Sequence, residues 1–179
     1  MEGQPEIVPV LDAHRLDEAR LTEYLQQQNL LDGPLKVRQF QGGQSNPTYL
    51  LQTGEREYVL RKKPPGKVLP SAHQVDREYR VMKALGEHSD VPVPTMHVLC
   101  EDDAVLGTSF YVMDFVPGRV FTHPQLEALP KEQRADLYLD KIDTLAKLHS
   151  VDYQAAGLAD FGKPQGYVER QVKRWSAQY

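Results

Sequence analysis

Cysteine occurs only once in this 179-residue chain, at Cys100, so no disulfide can form within it and a reducing compartment suits it. Cys100 reads as a small buried strand residue, with a reactive thiol as the alternative. Basic residues are not in excess: 21 Lys and Arg stand against 25 Asp and Glu, a net charge of −4. That balance excludes a general affinity for nucleic acid or anionic membranes, although local basic clusters can still take a phosphate. No run approaches the roughly 18 apolar residues needed to cross a bilayer. The first ten residues, with Glu2 and Glu6, lack the basic start and apolar stretch of a secretory leader. The chain therefore reads as cytoplasmic. Internal repeats and low-complexity segments are also missing, and no asparagine follows Asn46.

The remaining composition, 40% hydrophobic and 26% charged, is that of a globular chain long enough for one buried domain and part of another. Residues 1–13 read as an extended tail. Asp17 and Glu18 open a helix with Leu16, Leu21, Tyr24 and Leu25 on one side, which Gly33-Pro34 is expected to stop. Three strand-like runs follow, 35–40, 48–53 and 57–61, the last two joined by a hairpin at Thr53-Gly54-Glu55-Arg56. A helix is expected over 72–85, with Ser71 as N-cap and Gly86 as its stop. Val91-Pro92-Val93-Pro94 forces extended backbone. Strands over 96–100 and 109–114 flank an acidic turn at Asp102-Asp103, and a helix over 132–149 carries Ala135, Tyr138, Ile142, Leu145 and His149 on one stripe. The order β-β-β-α-β-β, then helices, favours an antiparallel five-stranded sheet with one helix packed on it. We divide the chain into a tail and helix (1–33), a sheet region (34–116) and a helical region (117–179).

Three features can carry chemistry. Gly42-Gly43-Gln44-Ser45-Asn46 lies between two strands, which excludes phosphate loops that lead from a strand into a helix. Backbone N–H groups in such a loop can fold over phosphates; an ordinary hairpin turn is the alternative. On the third strand Val59, Arg61 and Lys63 share one face and Tyr58, Leu60 and Lys62 the other. Arg61, directly after the apolar run, is the cation expected to need an anion; Lys62 and Lys63 read as solvated edge charges. Positions 75, 78, 82 and 85 form a helical stripe of Val, Glu, Met and Leu, which points Glu78 toward the sheet. A carboxylate there calls for a cation, and Arg61 is the natural partner. An exposed pair with Arg77 or Arg80 is the alternative.

A glycine loop, a strand cation and a helix glutamate, followed by Tyr111-Val112-Met113-Asp114-Phe115-Val116-Pro117-Gly118, resemble the amino-terminal lobe and hinge of a protein-kinase-like fold. Three stretches narrow this resemblance: Gly43 to Tyr49, Tyr58 to Gly66, and Ala72 to Tyr79. They are similar to the aminoglycoside-phosphotransferase-like family, in the branch formed by the kinase-like region of acyl-CoA dehydrogenase family members ten and eleven and its bacterial relatives. The resemblance runs from about Leu35 to Tyr179. It implies an α+β fold, with a kinase-like N-lobe followed by the first helices of an α-helical C-lobe. It further implies that Gly42, Gly43, Ser45 and Asn46 cover the phosphates of ATP. Arg61 would touch those phosphates and pair with Glu78, in the place of the usual strand lysine. Val59 would pack on the base, Met113 would back the adenine pocket, and the backbone of Asp114 and Val116 would bond the adenine edge.

Phosphoryl transfer by such a fold also needs an aspartate to orient the hydroxyl, and an asparagine and second aspartate for magnesium. No H-x-D-x-x-x-x-N stretch is present. Asp160-Phe161-Gly162 and His149-Ser150-Val151-Asp152 imitate parts of the machinery but lie too close together, so we read the first as a turn and the second as a helix end. The expectation is an ATP-dependent phosphotransferase acting on a small-molecule hydroxyl, such as a hydroxyacyl-CoA, a hydroxy acid or an aminoglycoside. This chain would supply its nucleotide-binding half, inactive alone, with magnesium bound only in a longer protein. The alternatives are a non-catalytic nucleotide-binding or interaction module, and a structural fragment. Val168, Val172, Trp175 and Tyr179 form a stripe at the end of the chain. It is read as a truncated helix able to drive dimerisation, or as one docking back on its own domain.

Overall fold

The computed structural model describes residues 5–41, 46–64, 66, 73–121, 123–127, 129–163 and 165–177. Three strands expected from alternation form as a meander: β2 (Leu35–Phe40), β3 (Thr48–Thr53) and β4 (Arg56–Lys62). The hairpin between β3 and β4 closes over two residues, and Gly54 takes a φ of 54° that a side chain would strain. β5 (Met96–Cys100) and β6 (Phe110–Asp114) complete the expected set. The sheet nevertheless has six strands, in the order β1-β2-β3-β4-β6-β5. The extra strand, β1 (Ile7–Val8), comes from the segment expected as a free tail, and pairs antiparallel with Phe40 and Gln39. Buried Gln39 fastens that segment: its amide meets His14 Nδ1 at 2.8 Å and its carbonyl accepts from the Leu11 N–H at 3.1 Å.

Both faces of the sheet are covered, not one. α1 (Glu18–Gln27) buries Leu21 and Leu25 against Tyr49, Leu51, Tyr58, Leu60, Phe110 and Val112. Asp17 caps it by accepting from the Arg20 N–H. It ends earlier than Gly33, because Asn29 adopts a left-handed φ of 57° and the Leu30 N–H returns to the Leu25 carbonyl at 3.0 Å. Gly33 serves instead at a close approach, where a Cβ would stand 3.0 Å from the Gly54 nitrogen.

The opposite face of β6 and β5 carries α2 (Val75–His88). The expected cap Ser71 and the first expected helical residue, Ala72, lie outside the described residues. Gly86 does not stop this helix but sits inside its last turn, where a Cβ would press on Val93 at 3.3 Å. The acidic turn between β5 and β6 is a single helical turn, α3 (Asp103–Leu106), capped by Asp102. Beyond Phe115, α4 (Lys131–His149) and α5 (Tyr167–Ser176) contribute no buried residue. Among the described residues the α5 stripe does not dock back: Val168, Val172 and Trp175 are all exposed, and Tyr179 lies outside the described residues.

Candidate functional site

Cross-strand register builds the site. Thr48 stands opposite Arg61, Arg61 opposite Tyr111, Leu50 opposite Val59, and Val59 opposite Met113. Directly opposed residues share a face, so these six side chains form one surface, the side on which α2 packs. Glu78 on α2 reaches down to it. Arg61 Nε donates to Glu78 Oε2 at 2.7 Å, and the Tyr111 hydroxyl donates to the same oxygen at 3.0 Å. The Asn46 amide donates to Glu78 Oε1 at 3.1 Å, so both carboxylate oxygens are held. Arg61 Nη1 is tied to the Thr48 hydroxyl at 3.3 Å. Burial, and then the carboxylate of Glu78, push the Tyr111 phenol well above its ordinary range, so it is a permanent donor.

The pair is half-buried, with 32% of the Arg61 side chain and 35% of Glu78 exposed. A guanidinium has five donors; Glu78 and Thr48 take Nε and Nη1, and Nη2 has no protein partner among the described residues. The intrahelical alternatives for Glu78 are not used. Arg77 and Arg80 turn the other way, to Phe161, Gly157 and Asp160.

The remaining candidates are placed as follows. Gly42, Gly43 and Ser45 lie outside the described residues. Asn46 is buried at 3% exposure, and its amide braces Glu78 while its carbonyl meets His73 Nδ1 at 2.9 Å. Val59 is buried on the face of Arg61, Met113 is half-buried beside it, and Val116 is exposed just past β6. Asp114 ends β6. Its N–H donates to the Thr95 carbonyl at 2.9 Å, and its carboxylate meets His97 Nε2 at 2.6 Å. Burial works against the charged form of Asp114, but hydrogen bonds from His97 and Thr95 outweigh it and hold the carboxyl below its usual range. The β5–β6 register slips between Met96 and Val98, and this bulge aims His97 at Asp114.

Sequence reasoning missed four participants. Tyr111 and Thr48 were accessible from the strand parity once Arg61 was aligned with its neighbours. His73, at a φ of 59°, had no local signal, because that conformation is uncommon for a non-glycine residue and no turn motif marks it in the sequence. The fourth is Phe40, whose ring stacks on Phe115 at 6.2 Å and 28°, joining the strand before the glycine segment to the connection after β6. One charge was also misplaced. Lys62 is not a solvated edge residue but is 7% exposed, on the face that α1 covers, and burial lowers its pKa with only partial compensation from Asp103.

Among the described residues no three His, Cys, Asp or Glu side chains converge as a metal site would require.

A twisted antiparallel sheet with a helix-borne glutamate locked to a strand arginine defines a kinase-like phosphotransferase fold. The chain belongs to the phosphotransferase enzyme family, whose model matches residues 36–179. It superimposes with a TM-score of 0.78 on a crystal structure from Ralstonia eutropha assigned as an aminoglycoside phosphotransferase, at 44% identity over 92% of this chain and 47% of that one. It is 44% identical over 99% of its length to mouse acyl-CoA dehydrogenase family member 10, of which it covers 17%. It is 42% identical, again over 99%, to human acyl-CoA dehydrogenase family member 11, of which it covers 23%. The chain thus spans less than a quarter of these curated relatives and about half of the solved structure. No helix among the described residues is long and apolar enough to cross a membrane.

Proposed function

We propose that this chain is the nucleotide-binding half of an ATP-dependent phosphotransferase that acts on a small-molecule hydroxyl. The observation that carries the reading is the Arg61–Glu78 pair, 2.7 Å apart on the α2 side of the sheet and braced by Tyr111, Thr48 and Asn46. Such a pair presents an oriented guanidinium to an anion, with Nη2 uncommitted among the described residues, and a phosphate oxygen satisfies it in both charge and geometry. Gly42, Gly43 and Ser45 would add backbone and hydroxyl donors. Asn46 would act indirectly, since its amide is spent on Glu78. The adenine would lie against Val59 and Met113, with the backbone of Asp114 and Val116 along its edge. Because the Asp114 N–H is already bonded to Thr95, its carbonyl is the group offered.

The acceptor is the less determined partner. Two relatives are named as acyl-CoA dehydrogenases, which supports a hydroxyacyl-CoA or hydroxy acid at least as well as the aminoglycoside suggested by the solved structure. A cytoplasmic location follows the same reading. No asparagine lies beyond Asn46 and no H-x-D-x-x-x-x-N stretch is present, which favours binding without turnover by this chain alone. It also gives weight to a second reading, a non-catalytic nucleotide-binding or interaction module. Self-association through the exposed α5 stripe would belong to either reading.

The test is calorimetric titration of the 179-residue chain with ATP, alongside Arg61→Ala. Saturable binding weakened about tenfold or more by the substitution, the loss expected for one charge-assisted contact, supports the site. Equal affinity in both proteins would place the nucleotide elsewhere. Phosphate transfer to a hydroxyacyl-CoA by this chain alone would refute the prediction of inactivity.

A further inference from the structure

The segment Asp160-Phe161-Gly162, which spells a metal-binding motif of protein kinases, performs a different task here. Arg77 Nη2 donates to the Phe161 carbonyl at 2.6 Å, and the Arg77 guanidinium lies 4.0 Å over the centre of the Phe161 ring. Arg80 Nη2 donates to the Gly157 carbonyl at 2.8 Å, and the same guanidinium grips both oxygens of the Asp160 carboxylate. The hydrogen bond from Arg80 lowers the pKa of Asp160, and the Arg80 pKa is raised in return. Beneath these polar contacts Ala84 packs on Ala156 and Leu158, flanked by Val81, Val151 and Phe161. The turn after α4 is therefore fastened along one side of α2.

Residues in a helix advance by about 100° each, which puts Arg77, Arg80, Val81 and Ala84 on a face adjacent to that of Glu78. α2 is held from two directions, by the sheet through Glu78 and by the 156–161 turn through two arginines. A roll of about 30° about its axis would carry a carboxylate some 5 Å from that axis through about 2.5 Å. That displacement is enough to part Glu78 from Arg61.

We propose that Arg77, Arg80 and Asp160 are positioning residues, a latch that sets the rotation of α2 and so keeps Glu78 in reach of Arg61. The inference rests on reading Arg61 as a phosphate contact, but the latch can also be tested without nucleotide. Arg80 is 45% and Asp160 74% exposed in the side chain, and exposed ion pairs add little to stability, so single substitutions here should leave the chain folded.

Four proteins decide it: Arg80→Ala, Glu78→Gln, their combination, and the swapped pair Arg80→Asp with Asp160→Arg. ATP affinity should fall about fivefold to tenfold in Arg80→Ala, as for residues coupled in one network, and recover in part in the swapped pair. In the Glu78→Gln background, Arg80→Ala should cost nothing further, because the latch acts through Glu78. A general structural role would lower affinity by the same factor in both backgrounds, and that result overturns the proposal. If the parent chain binds no ATP, the reading of the site falls, and the latch is judged in urea. The midpoint coupling between Arg61→Ala and Glu78→Ala should be present in the parent and lost in Arg80→Ala. A coupling that survives there overturns the latch as well.

Discussion

Arg61 and Lys62 are neighbours in β4 that face opposite sides of the sheet, and their surroundings differ accordingly. Arg61 meets a carboxylate, whereas Lys62 is buried on the opposite face, and burial lowers its pKa. A lysine whose pKa is lower folded than unfolded opposes folding while it is charged, and stability rises with pH between the lowered value and 10.5. Lys62→Met keeps the volume and removes the charge, so we expect the melting temperature at neutral pH to rise by about 2–4 °C, the effect of about 1 kcal/mol in a chain of this size. The substitution should also abolish the gain in stability of the parent at alkaline pH. Asp114 behaves in the opposite sense. Its carboxyl is depressed by His97 and Thr95, so it stabilises the fold above its ordinary value of 3.8 and loses that contribution as pH falls through the depressed one. In thermal melts from about pH 5 to pH 2, the parent should lose more stability than Asp114→Asn. A parallel loss in both proteins would mean that the His97 contact does not matter energetically.

At the scale of elements, α1 is part of the sheet's core and not an appendage. Leu21 is fully buried against β-strand residues from 49 to 112, so Leu21→Ala is expected to cost about 2–5 kcal/mol, read as a lower urea midpoint for the whole sheet. If α1 melted independently, that midpoint would not move. The helix itself was legible from its apolar spacing, and so were β2 to β6 and α2, each within a few residues. Its end was not, because Asn29 rather than Gly33 supplies the left-handed residue and both types can do so. The two-residue β1 was also beyond local pattern: a strand that short carries no alternation and exists only because Phe40 and Gln39 offer it an edge. Glu78 was placed correctly from one helical stripe. Its bond to Arg61 could only be expected as a choice among three arginines.

For the molecule as a whole, α4 and α5 pose a problem of solvation. Tyr138, Leu139, Ile142, Leu145, Tyr167, Val168, Val172 and Trp175 are all exposed, an unusual density of apolar side chains for a free surface. Trp175, the only tryptophan, reports on this directly. With 57% of its surface exposed, it should be readily quenched by acrylamide, and the chain should bind an apolar dye such as ANS. A shielded, blue-shifted Trp175 in dilute solution would show that the α5 face finds cover.

The sequence by itself determined the main helices and strands from α1 onward, the glycine-loop order and the identity of the Arg61 and Glu78 candidates. Hydrophobic periodicity and turn chemistry act over a few residues and survive without knowledge of the rest of the chain. Tertiary structure alone decided what those side chains meet. Register brought Tyr111 and Thr48 to Arg61, and α1 chose the face on which Lys62 is buried. The fold also carried Arg77 and Arg80 to a turn some 80 residues away. Such contacts depend on which distant surfaces the fold places together, and desolvation and hydrogen bonding fix their strength only after that placement is made.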